Sequence, residues 1–419
     1  MSSSGDAKTI DHLVVICHGF WGNPTHLNHL RKTLLKTHSD AGIEVYVPKS
    51  NSNNHTYDGI DRGGERITHE ILQRFDELKQ TGNSIKKFSI VGYSLGGLIA
   101  RYIVGLLYND GFFNEVEPVN FTTFASPHLG VRSPKVGYQV DTWNWLGSNL
   151  LSVSGQQLYL TDNFRETGRP LLDILADPGS TFIRGLQRFE KRTLYANIHH
   201  DPAVPYYTAC FSKHDPYVDL EAVDLHYLEI PDKEQKVILD PALPATPKAT
   251  PGQQGWLSES TRNSLPFYAF AATVLPISLP LFLANAGYQT YQSAARVKAH
   301  ETGEQLDLNR YRLPLFEETQ KLQDMAVENL GSAAGEDYLP TPPPEAANND
   351  SNAVQWPTLA LTAQQFSMIE QLDKLGFTKF ACHIRIRRAH ACMIVRAENS
   401  TNFDEGKIIC QHWADAFLT

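Results

Sequence analysis

A short stretch restricts this chain more than any other. The apolar, strand-like run 88–91 passes directly into Gly92-Tyr93-Ser94-Leu95-Gly96-Gly97 and then into the helical pattern 98–107. A strand, a tight turn and a helix, with glycine two residues to either side of a serine, hold that serine in a strained backbone conformation. Its hydroxyl then stands at the carboxyl edge of a sheet. The helix start beside it favours negative charge as it develops. A bare G-x-S-x-G arises by chance with an expectation on the order of 0.1 in a chain this rich in Gly and Ser. The strand before it and the helix after it turn the match into a reading of Ser94 as a nucleophile; the alternative is a purely structural glycine turn.

The surrounding sequence repeats the same alternation. Residues 13–17, 43–47, 121–124 and 193–195 read as buried strands rich in Val, Ile and aromatics. Between them lie amphipathic stretches, among them Ile67, Ile71, Phe75 and Leu78, which share one helical face. Strands alternating with helices over the first 230 residues predict a mainly parallel sheet covered on both faces, a doubly wound α/β architecture. Residues 380–386 and 392–395 resume strand character much later, and 406–418 predicts a closing helix.

With a nucleophile placed, an acid is expected after a later strand and a base last along the chain. Asp201 lies in Asn197-Ile198-His199-His200-Asp201-Pro202-Ala203-Val204-Pro205, just beyond the strand at 193–195. Asp215 and Asp219 are rivals farther from the strand end. Of the 16 histidines, His383, His390 and His412 follow the acid near the resumed strands. His383 alternates with Ile384 and Ile386 as a core or face residue, and His412 falls on the terminal helix. His390, at a loop-like junction, is the expected base. The oxyanion donors are expected to be the backbone N–H of Phe20, in His18-Gly19-Phe20-Trp21-Gly22 after the first strand, and that of Leu95. His18 reads as a structural hydrogen-bonder. His128, in Ser126-Pro127-His128-Leu129-Gly130, precedes the acid and reads as pocket wall. The spacing His214-x4-Asp219 matches acyltransferases, but roughly one such match is expected by chance among so many histidines.

Five ordered motifs now stand together: HGFWGNPTHL, VGYSLGGLIARY, FASPHLGV, RTLYANIHHDPAVPYYTA and RRAHACMIVR. They resemble the putative serine esterase/lipase family of fungi and plants, and within it the fungal lipid-droplet phospholipases. The resemblance covers about residues 10–235 and 355–419. It implies an α/β-hydrolase fold and a Ser–Asp–His triad, carried here by Ser94, Asp201 and His390. The base motif departs from the family's usual Ser-His-Ala-Ala, reading Ala389-His390-Ala391-Cys392. Trp143, Trp145, Leu146, Leu150 and Leu151 lie where such hydrolases insert a lid and suggest an acyl-chain or interface surface; a plain core helix is the alternative.

Composition excludes other classes. Lys+Arg total 37 against 46 Asp+Glu, a net charge of −9, which argues against a nucleic-acid partner. Five cysteines without a CxxC pair read as reduced thiols rather than a disulfide framework or zinc site. The opening MSSSGDAKTID has no signal-peptide character, so a cytosol-facing protein is expected. No metal or phosphate-cradling motif occurs, and neither metal nor cofactor is expected.

One segment is not globular in character. Residues 263–295, thirty-three in all, contain no charged side chain, more than the ~20 that span a bilayer. Pro266, Pro276 and Pro280 interrupt them, and a single crossing would put His390 across a membrane from Ser94 and Asp201. A proline-bent hairpin or interfacial anchor that enters and leaves on one side is therefore expected, suited to a phospholipid monolayer; a buried cap is the alternative. The expected organisation is a first core part at 10–238, a linker at 239–262 and the anchor at 263–298. A helical then disordered linker at 299–354 and a second core part at 355–419 complete it. The expected activity is hydrolysis of lipid acyl esters, foremost glycerophospholipids, at a droplet or endoplasmic reticulum surface. A neutral glyceride lipase, an acyltransferase and an inactive lipid-surface binding protein are the alternatives. Oligomeric state leaves no signal.

Overall fold

In the computed structural model the residues described are 9–132, 134, 152–230, 235–248, 287–302, 356–398 and 401–419. Strands form where the apolar runs were read: β1 (His12–Cys17), β2 (Ile43–Tyr46), β3 (Lys87–Tyr93), β4 (Glu117–Phe124), β5 (Lys191–Asn197) and β6 (Thr378–Cys382). They lie in the order β2-β1-β3-β4-β5-β6, and every neighbouring pair is parallel.

β1 shows why such a run cannot lie on a surface. All six of its residues are buried, and alternate side chains serve opposite faces of the sheet. Leu13, Val15 and Cys17 pack with α2 (Ile60–Gln80) and α3 (Leu95–Asn109). Val14 and Ile16 pack with α1 (Asn28–Thr37) and with the closing helix, α5 (Asp404–Asp415). On α2 the stripe Ile67, Ile71, Phe75 and Leu78 is buried as its spacing demands. Each such side chain contributes about 1.5–3 kcal/mol of transfer free energy.

The chain returns to the sheet late. A capping box between Thr362 and Gln365 opens the helix Ala363–Asp373, whose Met368, Ile369 and Leu372 join the α2–α3 core. β6 then pairs with β5. Beyond β6, Ile384 donates its N–H to Asn197 Oδ1 at 3.0 Å, and His383 N donates to Val237 O at 2.7 Å.

The resumed strand is shorter than its apolar pattern suggests, ending at Cys382. The run 392–395 is not a strand. Ala389–Cys392 forms one helical turn, continued by Met393 N to Ala389 O and Val395 N to Cys392 O. Cys392, Met393, Ile394 and Val395 are all at most 1% exposed, and a short run buried on every side carries no period to separate strand from helix. The expected lid residues at 143–151 and residues 263–286 of the apolar stretch lie outside the described residues. Residues 287–301 form a helix, α4. Among the described residues no helix is long and apolar enough to cross a membrane.

Candidate active site

The order of strands reverses at β1: β2 lies on one side of it and β3 to β6 on the other. Loops leaving β1 and β3 therefore rise side by side at the carboxyl edge, where open α/β sheets bind ligands. Ser94 sits in the turn after β3 with φ 56° and ψ −128°, a left-handed, strained conformation that costs of order 1–3 kcal/mol. The turn closes only because its neighbours lack side chains. A Cβ on Gly92 would stand 2.3 Å from Gly97 Cα, and one on Gly96 would stand 2.3 Å from Cys17 O. Ser94 N donates to Phe124 O (2.9 Å), while its carbonyl accepts from Gly97 N (3.0 Å) and Ser126 Oγ (2.9 Å).

Three residues from distant parts of the chain meet at this turn. His390 Nε2 lies 3.0 Å from Ser94 Oγ, and His390 Nδ1 lies 2.8 Å from Asp201 Oδ2. Asp201 leaves β5 as expected, and its side chain is only 1% exposed. Its other oxygen accepts the backbone N–H of Ala203 (3.1 Å) and Val204 (2.9 Å). One carboxylate oxygen is thus fixed by backbone and the other turned to the imidazole. With the Nδ1 proton directed at Asp201, Nε2 is left to accept the Ser94 hydroxyl proton. Tyr93 supports the ring from below: its hydroxyl donates to the His390 carbonyl at 2.9 Å, and the two rings lie 4.9 Å apart. Burial, reinforced by the Asp201 charge, pushes the Tyr93 phenol well above its ordinary range, so it remains a donor.

The remaining candidates are engaged elsewhere. Asp215 accepts from Tyr217 N and Asp219 from Glu221 N, both local turn bonds. His383 Nδ1 pairs with Tyr227 hydroxyl at 2.7 Å, and His412 Nδ1 with Tyr195 hydroxyl at 2.9 Å. His214 Nδ1 lies 3.2 Å from Pro357 O. His128 is buried with Nε2 3.0 Å from Thr123 Oγ1, and burial depresses its basicity far below normal. His18 holds the loop after β1, with Nδ1 3.1 Å from Gly19 O and Nε2 3.3 Å from Ser52 Oγ; burial lowers its pKa too.

Leu95 is the first residue of α3, where a backbone N–H has no acceptor within the helix. The loop carrying Phe20 passes against the serine: a Cβ on Gly19 would lie 2.7 Å from Ser94 Cβ. Residues 51–58 brace that loop from outside. Asn53 N donates to Gly22 O (2.7 Å), Trp21 N to Thr56 Oγ1 (3.2 Å) and Trp21 Nε1 to Tyr57 hydroxyl (2.8 Å). The Phe20 ring meets Tyr57 edge-on at 5.1 Å. Neither this brace nor Tyr93 was read from the sequence. Tyr93 lies inside the serine motif at a position the motif leaves open, and residues 51–58 read only as polar loop. Among the described residues no group of three or more His, Cys, Asp or Glu is placed to hold a metal ion.

A doubly wound parallel sheet with a strained serine turn at its switch point defines an α/β-hydrolase. Residues 7–214 match the family described as putative serine esterase (DUF676), in line with the resemblance carried by the motifs. Over 204 residues the chain is 37% identical to Putative lipase ROG1 of Saccharomyces cerevisiae, covering 47% of this chain and 28% of that protein. Over 205 residues it is 31% identical to Putative lipase C4A8.10 of Schizosaccharomyces pombe, covering 47% and 26%. The match thus spans little more than a quarter of these relatives. Among solved structures, a putative cell surface hydrolase from Lactobacillus plantarum is similar with a TM-score of 0.28 and 13% identity, over 51% of this chain and 79% of that one.

Proposed function

We propose that this chain is a serine hydrolase that cleaves acyl esters of lipids, foremost glycerophospholipids, through an acyl-enzyme. The observation that carries the reading is the relay of Ser94 Oγ, His390 and Asp201 at 3.0 and 2.8 Å. Ser94 Oγ attacks the acyl carbonyl while His390 Nε2 takes its proton. Asp201 orients the imidazole and stabilises the imidazolium. The N–H groups of Phe20 and Leu95 receive the charge on the carbonyl oxygen. His390 then protonates the departing alcohol, and the acyl group stays on Ser94. Water, deprotonated by His390, releases the fatty acid and restores the serine.

Lipid as substrate is supported by the names of the relatives and by the uncharged run 263–295. On this reading residues 263–286 of that run, ahead of the core-docked helix α4, hold the enzyme, from the cytosolic side, on the phospholipid monolayer of a droplet or on the endoplasmic reticulum. The test is fatty-acid release from phosphatidylcholine and from triacylglycerol emulsions by the full chain and by Ser94→Ala. Release from phosphatidylcholine that vanishes in Ser94→Ala is expected. Release from triacylglycerol alone makes the enzyme a neutral lipase, and release that survives Ser94→Ala removes Ser94 from the mechanism.

A further inference from the structure

The brace behind the oxyanion loop does not end at residues 51–58. Asp58, fully buried, closes that segment, and two arginines from different helices converge on it. Arg66 of α2 reaches Asp58 Oδ2 at 2.9 Å and also bonds Asn51 Oδ1 (2.7 Å) and His55 O (3.0 Å). Arg296 of α4 reaches Asp58 Oδ1 through Nη2 at 2.9 Å and through Nε at 3.1 Å, and holds Asn54 O at 2.9 Å. Ser293, one turn earlier and fully buried, donates to Asp58 Oδ1 at 2.7 Å. A second contact fixes the same face of α4: His300 Nε2 lies 2.8 Å from Glu65 Oε2 on α2.

Bidentate, charge-assisted bonds in a desolvated setting are the strong class, and here they grip both ends of the segment that carries Thr56 and Tyr57. We infer that Arg296 and Ser293 are positioning residues for the ester-cleaving site. They act through Asp58 and residues 51–58 on the loop that holds Trp21 and Phe20. The inference rests on the proposed function, in which the Phe20 N–H receives the oxyanion. It gives α4 a task besides joining the uncharged run to the core: the helix that leaves the proposed anchor also sets the geometry of the oxyanion loop.

Arg296→Ala leaves Asp58 paired with Arg66, so no lone buried charge is created and the fold is retained. On a soluble short-chain p-nitrophenyl ester, which needs no lipid surface, kcat should fall about tenfold or more with KM within about threefold, the signature of a misplaced oxyanion donor. Ser293→Ala should shift kcat in the same direction by less, and Arg296→Lys should recover part of the loss. In hydrogen exchange, 18–22 and 51–58 should open faster in Arg296→Ala while 87–109 stay as in the parent. A kcat and an exchange pattern equal to the parent's overturn the inference. So does faster exchange throughout 87–109, which makes Arg296 a general stabiliser, or a raised KM at constant kcat. Selective opening of 18–22 in a protein whose parent neither hydrolyses the ester nor reacts with a fluorophosphonate keeps the positioning role and removes the hydrolase reading.

Discussion

Ser94 holds a backbone conformation that a side chain with a Cβ resists, and the strain is stabilised by three hydrogen bonds to its own peptide groups. The strain serves exposure of Oγ toward His390 rather than stability. Asp201 divides its two oxygens between backbone and imidazole, and this division predicts how a near-isosteric change behaves. In Asp201→Asn the amide oxygen still accepts from Ala203 and Val204, so the thermal midpoint should hardly move. The amide nitrogen then faces His390 Nδ1 and favours the wrong tautomer, so kcat should fall by about 10³–10⁴-fold. A loss under tenfold would mean that Asp201 does not orient the base. Ser94, Asp201 and His390 were legible one at a time, because each lies at a strand end or junction in the order a nucleophile, acid and base require. The contact of Tyr93 with His390 was not, because it joins positions almost 300 residues apart and no local pattern records it.

At the level of elements, the strand–turn–helix unit is the most legible part of the chain, since glycine spacing and apolar runs both point to it. The close passage of Gly96 against the β1 carbonyl of Cys17 makes that unit intolerant. Gly96→Ala should cost about 1–3 kcal/mol of stability, read as a lowered urea midpoint, and should also lower kcat, because the contact is with backbone that cannot rotate away. A midpoint within error of the parent would contradict the packing of the turn on β1. The run 392–395 misled because its four residues are buried from all sides, which hides the helical period. Residues 51–58 escaped notice for the opposite reason: their polar side chains and backbone spend their hydrogen bonds on four other segments, the loop after β1, α2, α4 and Ser154, so they read as loop while acting as a support.

For the whole molecule, alternation of strands and helices was enough to foresee a parallel sheet covered on both faces, but not its strand order. The reversal at β1, which places the Phe20 loop beside Ser94, depends on pairings that a linear pattern does not contain. The packed sheet also sets an acid limit. His12 on β1, almost wholly buried, bonds Ser89 Oγ at 2.8 Å. Burial, helped by the charges of Lys87 and His38, lowers its pKa to about 4. Between pH 6.5 and 4 the unfolded chain takes a proton there that the folded chain refuses. The stability present above pH 6.5 is therefore lost as pH falls through that window, by at most about 3 kcal/mol. His12→Gln should flatten the fall of the urea midpoint between pH 6.5 and 4.5; equal slopes would contradict the assignment. The central claim, that Ser94 is a nucleophile activated by His390, is tested most directly by fluorophosphonate labelling of the full chain with peptide mapping. Labelling on Ser94 alone, abolished by Ser94→Ala and slowed at least about a hundredfold by His390→Ala, is the result expected. Labelling at another residue, or at Ser94 with undiminished rate in His390→Ala, would contradict it.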